Sequence, residues 1–453
     1  MFYLNKLKIT PISITLLRDI DTTMKIMKFK LIKASAFALC GMTFIGESRV
    51  QAAFSLSDIA QKQQDCAVES IQNAIFCGQF SGRLNTLYYS THDAFFVKNL
   101  NQDTAATGGF IKYETQAVSG LKAGLSYAAQ WRLDDQNAGH AEVDELSKEK
   151  DGLAEAYLDW HTQHWGVRIG QQALNLPFLG NYDWRVMPPL FRAVDIKYGG
   201  KQDFIQATWL NRFKSYADDQ FLQSSRYSST LETNGMWSIG LSKSMDLSQH
   251  AFSAEAWYQS YDDYNHLAYA EGHWKLKDVI FSPDVAIQAM WSKAQGKALA
   301  GQVDHLGFGV ALTLKVFDGM TLKTGYNYIK PDQDSYLNGA LFTPYMIYTA
   351  SGPYFAQPFF TSTQDLGAGH AAMLALEGSL NEQTFFGANY SFMNLAESSD
   401  IKPINQSEYV IYAIYNFKGA LKGWSIADFF GYATSARSDE LFLQNRLGLK
   451  YSF

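Results

Sequence analysis

The residues of this 453-residue chain best placed to do chemistry are charged side chains two or four positions apart. Their spacing suits electrostatic recognition rather than bond-making. In the stretch Leu153–His161 followed by Trp165–Gly170, a two-residue turn at Gln163-His164 would set Asp159 directly across from Arg168. Glu155 shares the face of Asp159, but four residues of strand separate two carboxylates by about 13 Å, too far for either glycosidase geometry. Arg83, Arg132, Lys323, Arg446 and Lys450 stand on the polar faces of similar segments. No Gly-x-Ser-x-Gly or His-Glu-x-x-His occurs, the nine histidines are scattered, and no Cys/His spacing fits zinc. No catalytic residue, metal or cofactor is therefore expected. The Asp159/Arg168 pair reads either as a charge pair facing a lumen or as an ion pair on a soluble surface.

The elements that carry these charges decide between the two. From residue 78 onward, stretches of about ten residues alternate apolar with polar or small side chains, the period of a β-strand. In 121–133, Leu121, Ala123, Leu125, Tyr127, Ala129 and Trp131 alternate with Lys122, Gly124, Ser126, Ala128, Gln130 and Arg132. The last stretch, Leu441–Phe453, alternates likewise and is broken only by Phe442 and Asn445. Its length of about a dozen residues suits a tilted membrane-spanning strand of about 9–11, whereas soluble strands average about 5–6. Eighteen such segments are counted. Connections at Ser119-Gly120, Gln163-His164, 199–202, 246–249, 277–279, Asp318-Gly319, 381–383 and 418–422 are short, whereas 91–106, 134–151, 172–190, 218–233 and 331–366 are long. That asymmetry predicts an all-β fold: a closed, antiparallel, up-and-down transmembrane β-barrel of about 18 strands over 78–453, with short periplasmic turns and long extracellular loops. A soluble, secreted β-rich binding protein, with the apolar faces packed together, is the rival architecture.

The amino-terminal region is of another kind. Residues 24–52 run from a basic stretch through an apolar one to Val50-Gln-Ala52, the pattern of a secretory signal cleaved after Ala52. Leu39 is too large to precede a lipoprotein cysteine, so Cys40 is expected to leave with the signal. Residues 1–23 precede a better start at Met24 or Met27. Without 1–52 the chain holds 30 Lys/Arg against 41 Asp/Glu, a net charge of −11, and nucleic acid is excluded as a partner. Cys66 and Cys77 remain, and in an oxidising compartment a disulfide between them is the simplest expectation, with two buried thiols as the other. The segment 53–77 is expected to form a short periplasmic helix or to plug the barrel floor. No apolar run is long enough for a membrane helix, and 15% aromatic residues are compatible with the girdles of a barrel.

Between the fifth and sixth strands the chain reads Arg168, Gly170, Gln172, Pro177, Asp183, Arg185, Pro188, Pro189, Phe191 and Arg192. This pattern resembles the OprD-type family of substrate-specific outer-membrane porins, as does 419–423 before the penultimate strand. The resemblance implies an eighteen-stranded monomeric barrel whose loop 172–192 folds inward and narrows the pore. It would place Asp183, Arg185 and Arg192 at the constriction, presenting guanidinium groups to a carboxylate and a carboxylate to a cation or hydroxyl. Either arginine could instead tie the loop to the wall through Asp159, Glu155 or Asp195. Members of the family carry late-strand arginines. Here 424–432 has none and places Asp428 in the lumen lining, leaving Arg83, Arg132, Lys323, Arg446 and Lys450 as a sparser basic track beside Glu155, Asp159 and Arg168.

The expected partners are outer-membrane lipid, small hydrophilic solutes and the barrel-assembly machinery, which reads a carboxy-terminal strand ending in Phe453. The expected location is the outer membrane of a Gram-negative bacterium, and the expected function is passive diffusion of small hydrophilic solutes, carboxylate-bearing nutrients such as amino acids or small organic acids among them. A barrel enzyme is the rival from another class. The stretch 331–366, rich in Tyr and Phe, is expected to lid the outer mouth, to contact a partner or to be simply an exposed loop.

Overall fold

The computed structural model describes residues 70–133, 139–179, 185–346, 352–398 and 405–453. Asp183 and Cys66, like the signal segment 1–52, lie outside them. Alternation of side chains produces eighteen strands: β1 (Gln79–His92), β2 (Gln102–Glu114), β3 (Leu121–Arg132), β4 (Lys150–His161), β5 (Trp165–Gln172) and β6 (Leu190–Gly199). They continue through β7 (Phe204–Lys214), β8 (Met236–Asp246), β9 (His250–Tyr261), β10 (Asn265–Leu276), β11 (Asp284–Ala294) and β12 (Asp304–Phe317). The ring is completed by β13 (Met320–Ile329), β14 (Gly369–Ser379), β15 (Thr384–Leu395), β16 (Asn405–Asn416), β17 (Trp424–Ser435) and β18 (Ser438–Ser452). Each strand pairs antiparallel with its chain neighbours, and β1 pairs with both β2 and β18. Closure leaves no edge strand exposed.

Both strand termini of the barrel open onto one rim, where the connections are short. At 118–121 the turn is closed by Ser119 (φ 50°) and Gly120 (φ 84°), the paired positive φ values that match the twist of a two-residue hairpin. The connection 277–283 is longer than the three-residue turn expected. Pro283 cannot donate to the ladder, so β11 begins only at Asp284. The opposite rim bears the long loops, although 262–264 and 436–437 are tight there too.

The outer face is banded. Leu84, Ile111, Leu125, Leu158, Ile169, Ile239, Ile287, Val310, Leu374 and Ile411 are exposed across its middle. Toward the loop rim Trp209 stands opposite Trp237, and Tyr409 sits between Tyr390 and Tyr432 with ring centroids 4.9 Å away on each side. Toward the turn rim, Phe80 pairs with Tyr113 (4.8 Å), Trp165 with Tyr198 (4.9 Å) and Trp424 with Tyr451 (5.0 Å). An apolar belt between two aromatic girdles is the surface a bilayer requires.

The interior is no simple water-filled tube. Leu176, Phe178 and Leu179 from loop 173–189, with Leu341, Phe342, Tyr345 and Met346 from loop 330–368, pack in one buried cluster with Tyr261, Leu267 and Tyr269 of β9 and β10. Because the outward faces are turned to lipid, the strands alone have no shared core. The two loops supply one.

Candidate functional site

Two loops and three sectors of wall shape the lumen. Loop 173–189 reaches both sides of the ring: the Pro177 carbonyl accepts from Gln259 Nε2 of β9 (2.8 Å), and the Arg185 carbonyl accepts from Asn85 Nδ2 (3.1 Å) and an Arg83 guanidinium nitrogen (3.3 Å) of β1. In a ring of eighteen strands, β1 and β9 are eight apart, almost opposite. The described parts of the loop thus meet opposite sides of the ring. Its Arg185 side chain is buried, pairs with Glu145 in the short helix Asp144–Ser147, and lies 4.9 Å over the ring of Tyr216. Of the partners considered from sequence for tying the loop down, Asp159, Glu155 and Asp195, none is used by Arg185. A carboxylate in loop 133–149 takes that role. Arg192 is exposed on the face of β6 opposite Asp195, paired in register with Gln171 and Arg212, and its guanidinium lies 6.0 Å from the centroid of Phe221.

Loop 330–368 also turns inward. The Glu408 carboxylate on β16, 1% exposed, accepts the backbone N–H groups of Phe359 (2.5 Å), Phe360 (2.8 Å) and Thr361 (2.9 Å), plus the Thr361 hydroxyl (2.9 Å). Three converging N–H donors make a cradle for one anion. Further along, Asn327 Oδ1 accepts from the Ala356 N–H (2.8 Å), and the Pro353 carbonyl accepts from Gln288 Nε2 (2.7 Å). A long Tyr- and Phe-rich loop is thus pinned within the barrel.

The charges divide into sectors. On β2 to β5, Arg168 donates to Asp159 (2.6 Å), Lys122 approaches Asp159 (3.8 Å) and Glu114 (3.1 Å), and Lys112 pairs with Glu155 (3.1 Å). Asp159 and Arg168 stand opposite one another in the ladder. Three cations and three carboxylates neutralise this wall. On β18 and β1, Arg446, Lys450 and Arg83 face inward. Arg446 and Lys450, with Asn85, Leu87, Arg185, Ser425, Ala427 and Phe429, line a small cavity against the wall. Arg446 lies 4.7 Å over Tyr89 and 5.0 Å over Phe360, between wall and loop 330–368. On β9 to β11, Glu255 and Glu271 are cross-strand neighbours, and His273 bridges Glu271 (2.8 Å) and Asp284 (3.0 Å), with Lys275 opposite Asp284.

Lys323 pairs with Glu377, and Arg132 with Glu142 at the loop rim. Asp428 does not line the lumen. The alternation of β17 turns Ser425, Ala427 and Phe429 inward and Asp428 outward, where it accepts from Asn445 Nδ2 (2.7 Å). Asn445 is the residue that breaks the apolar parity of the last strand, and the two breaks answer each other. Cys77 is disulfide-bonded, and the other two cysteines, Cys40 and Cys66, lie outside the described residues. Among the described residues no group of three or more His, Cys, Asp or Glu could hold a metal ion.

No protein-family model matches the sequence, and no curated protein does. Solved structures do match. OccK9 (OpdG) of Pseudomonas aeruginosa superposes with a TM-score of 0.72 at 14% identity over 84% of this chain and 99% of that one. A BenF-like porin from Pseudomonas fluorescens Pf-5 gives 0.73 at 12% over 83% and 98%. OccAB4 of Acinetobacter baumannii gives 0.67 at 14% over 83% and 98%. The fold is that of the OprD-type porins. Both inward loops and the basic wall lie inside the barrel, and sequence reading named none of Glu145, Glu408 and the Glu255/Glu271 wall beside them. For Glu255 and Glu271 a signal existed. A tight turn at 262–264 sets residue 255 opposite 271 by the same counting that pairs Asp159 with Arg168. For Glu145 and Glu408 the partners come from distant loops, and no local spacing announces them.

Proposed function

We propose that the protein is an outer-membrane porin for passive, selective diffusion of small hydrophilic solutes, with carboxylate-bearing nutrients such as amino acids or small organic acids as its preferred class. The observation that carries this reading is the lined cavity along β17, β18 and β1, in which Arg185, Arg446 and Lys450 converge beside Phe429. Guanidinium and ammonium groups recognise a carboxylate at short range, and the aromatic and aliphatic lining suits the remainder of a small organic acid. Loops 173–189 and 330–368 pack into the barrel against β9 and β10, and a solute would travel beside the cations. No covalent step is needed: pore width and field do the selecting. The turn rim is assigned to the periplasm and the loop rim to the exterior, with the chain acting as a monomer. Among the structures sharing the fold, OpdK of Pseudomonas aeruginosa was solved with vanillate, an aromatic carboxylate. The test is swelling of proteoliposomes in isosmotic solutions of a small carboxylate and of a neutral solute of the same size. Faster swelling with the carboxylate is expected. Equal rates, or none, would overturn the preference.

A further inference from the structure

We propose that the helix α1 (Ile71–Phe76) is an interfacial anchor, lying on the periplasmic leaflet of the outer membrane beside the feet of β1 and β2. The proposal rests on the outer-membrane reading above. Its occupant is the boundary between phospholipid headgroups and acyl chains. On this single six-residue helix Ile71, Ile75 and Phe76 are 73%, 50% and 79% exposed, while Ala74 and Cys77 are turned to the protein and buried. Such exposure of three large apolar side chains in water would be unfavourable, and a contiguous apolar patch marks a contact surface.

The bonds that hold α1 set its side of the wall. Tyr113 donates its hydroxyl to the Ile75 carbonyl, and the Gln116 N–H donates to the Ala74 carbonyl (3.0 Å). Tyr113 belongs to the outward face of β2: its neighbours Lys112 and Glu114 point inward to Glu155 and to Lys122 and Tyr157. Its ring meets Phe80, itself 63% exposed, and nearby Tyr451 stacks on Phe453, 50% exposed. The helix is therefore continuous with the aromatic girdle of the turn rim rather than with the lumen. A helix this short is unstable alone. Here it is fixed by the Ser70 cap to Asn73 N–H (3.2 Å), by β1 following directly, and by the disulfide at Cys77. An apolar helical face at the rim of a membrane protein behaves as an interfacial element.

The test is photo-cross-linking in the protein refolded into phosphatidylethanolamine–phosphatidylglycerol vesicles, with Ile71→p-benzoylphenylalanine and Ile75→p-benzoylphenylalanine. Leu84, on the mid-belt, and Glu382, in an exposed turn at the same rim, are substituted likewise for comparison. Lipid adducts read by mass spectrometry are expected at 71 and 75 in a yield similar to that at 84 and several-fold above that at 382. Adducts from 71 and 75 confined to protein, whether to upstream residues or to the lumen, while 84 labels lipid, would overturn the anchor. Absence of lipid adducts at 84 itself would overturn the membrane-barrel reading and the anchor with it.

Discussion

The wall formed by β18 and β1 and the wall formed by β9 to β11 stand on opposite sides of the ring, carry opposite charge, and are covered by different loop residues. Along the first, Arg446 and Lys450 border a small cavity to which loop 173–189 adds Arg185. Along the second, Glu255 and Glu271 are set directly across from each other, an arrangement that is destabilising unless relieved. His273 relieves it, as do Trp257 Nε1 on Glu255 (3.2 Å) and the Tyr269 hydroxyl on Glu271. Above them Phe178 packs edge-on against Tyr269, and Gln288 is occupied by the Pro353 carbonyl. The loops thus cover both walls, the acidic one through Phe178 and Pro353 and the basic one through Phe360 over Arg446 and the Arg185 carbonyl on Arg83 and Asn85. Which charges a solute meets is decided by loop packing as much as by strand sequence.

The largest way to disturb this contrast is to release a loop that covers both walls. Glu408→Ala would strip the acceptor from three buried backbone N–H groups, at about 1–3 kcal/mol for each. Planar-bilayer recordings are expected to show larger and noisier conductance, with protease gaining access to loop 330–368, while Glu408→Gln retains part of the anchor. Unchanged conductance and protection would mean that the loop is held by its apolar contacts alone. Next in size is Asp159→Asn, which leaves Arg168 without its hydrogen-bonded carboxylate. Losing one partner of a buried pair costs about 3–5 kcal/mol, to be read as a lower urea midpoint of unfolding, with the anion-side sign of selectivity retained because the change leaves three cations against two carboxylates on that wall.

The contrast between the walls is sharpened by charge exchange. Arg446→Glu with Lys450→Glu is expected to move the reversal potential in a salt gradient strongly toward cations, and Glu255→Gln with Glu271→Gln to move it only slightly the other way. A larger effect from the glutamates would invert the assignment of the wall that sets selectivity. The smallest effect is expected at the turn rim, where the Lys243 ammonium, and then Ser244, hold the Asp203 carboxyl down at about 2 from an ordinary 3.8. A depressed carboxyl contributes stability above its ordinary value and loses it as pH falls toward the folded one. Asp203→Asn should therefore lower stability slightly at neutral pH, flatten the acid-side fall between those two values, and have no effect below them.

Much of the barrel was legible because alternation and connection length are local properties. Eighteen segments and a short-turn rim follow from them, and counting back from Gln163-His164 suffices to pair Asp159 with Arg168. Asp428 shows where alternation was set aside: assigned inward by resemblance, it belongs to the parity class of Ile426 and Phe430, and Asn445 on the next strand marks the same outward row. The loops were least legible. Their apolar residues pack against strands far away in sequence, so neither the Glu408 cradle nor the pairing of Arg185 with Glu145 leaves a mark in local spacing. Family likeness in loop 172–192 pointed to the right segment but not to the partner of its arginine.

The most direct test of the central claim is the single-channel current of the refolded protein in a planar bilayer under a potassium chloride gradient. The account predicts discrete conductance steps and a reversal potential on the anion side, set by the basic wall. A cation-side reversal potential, or no steps from folded protein, would contradict it.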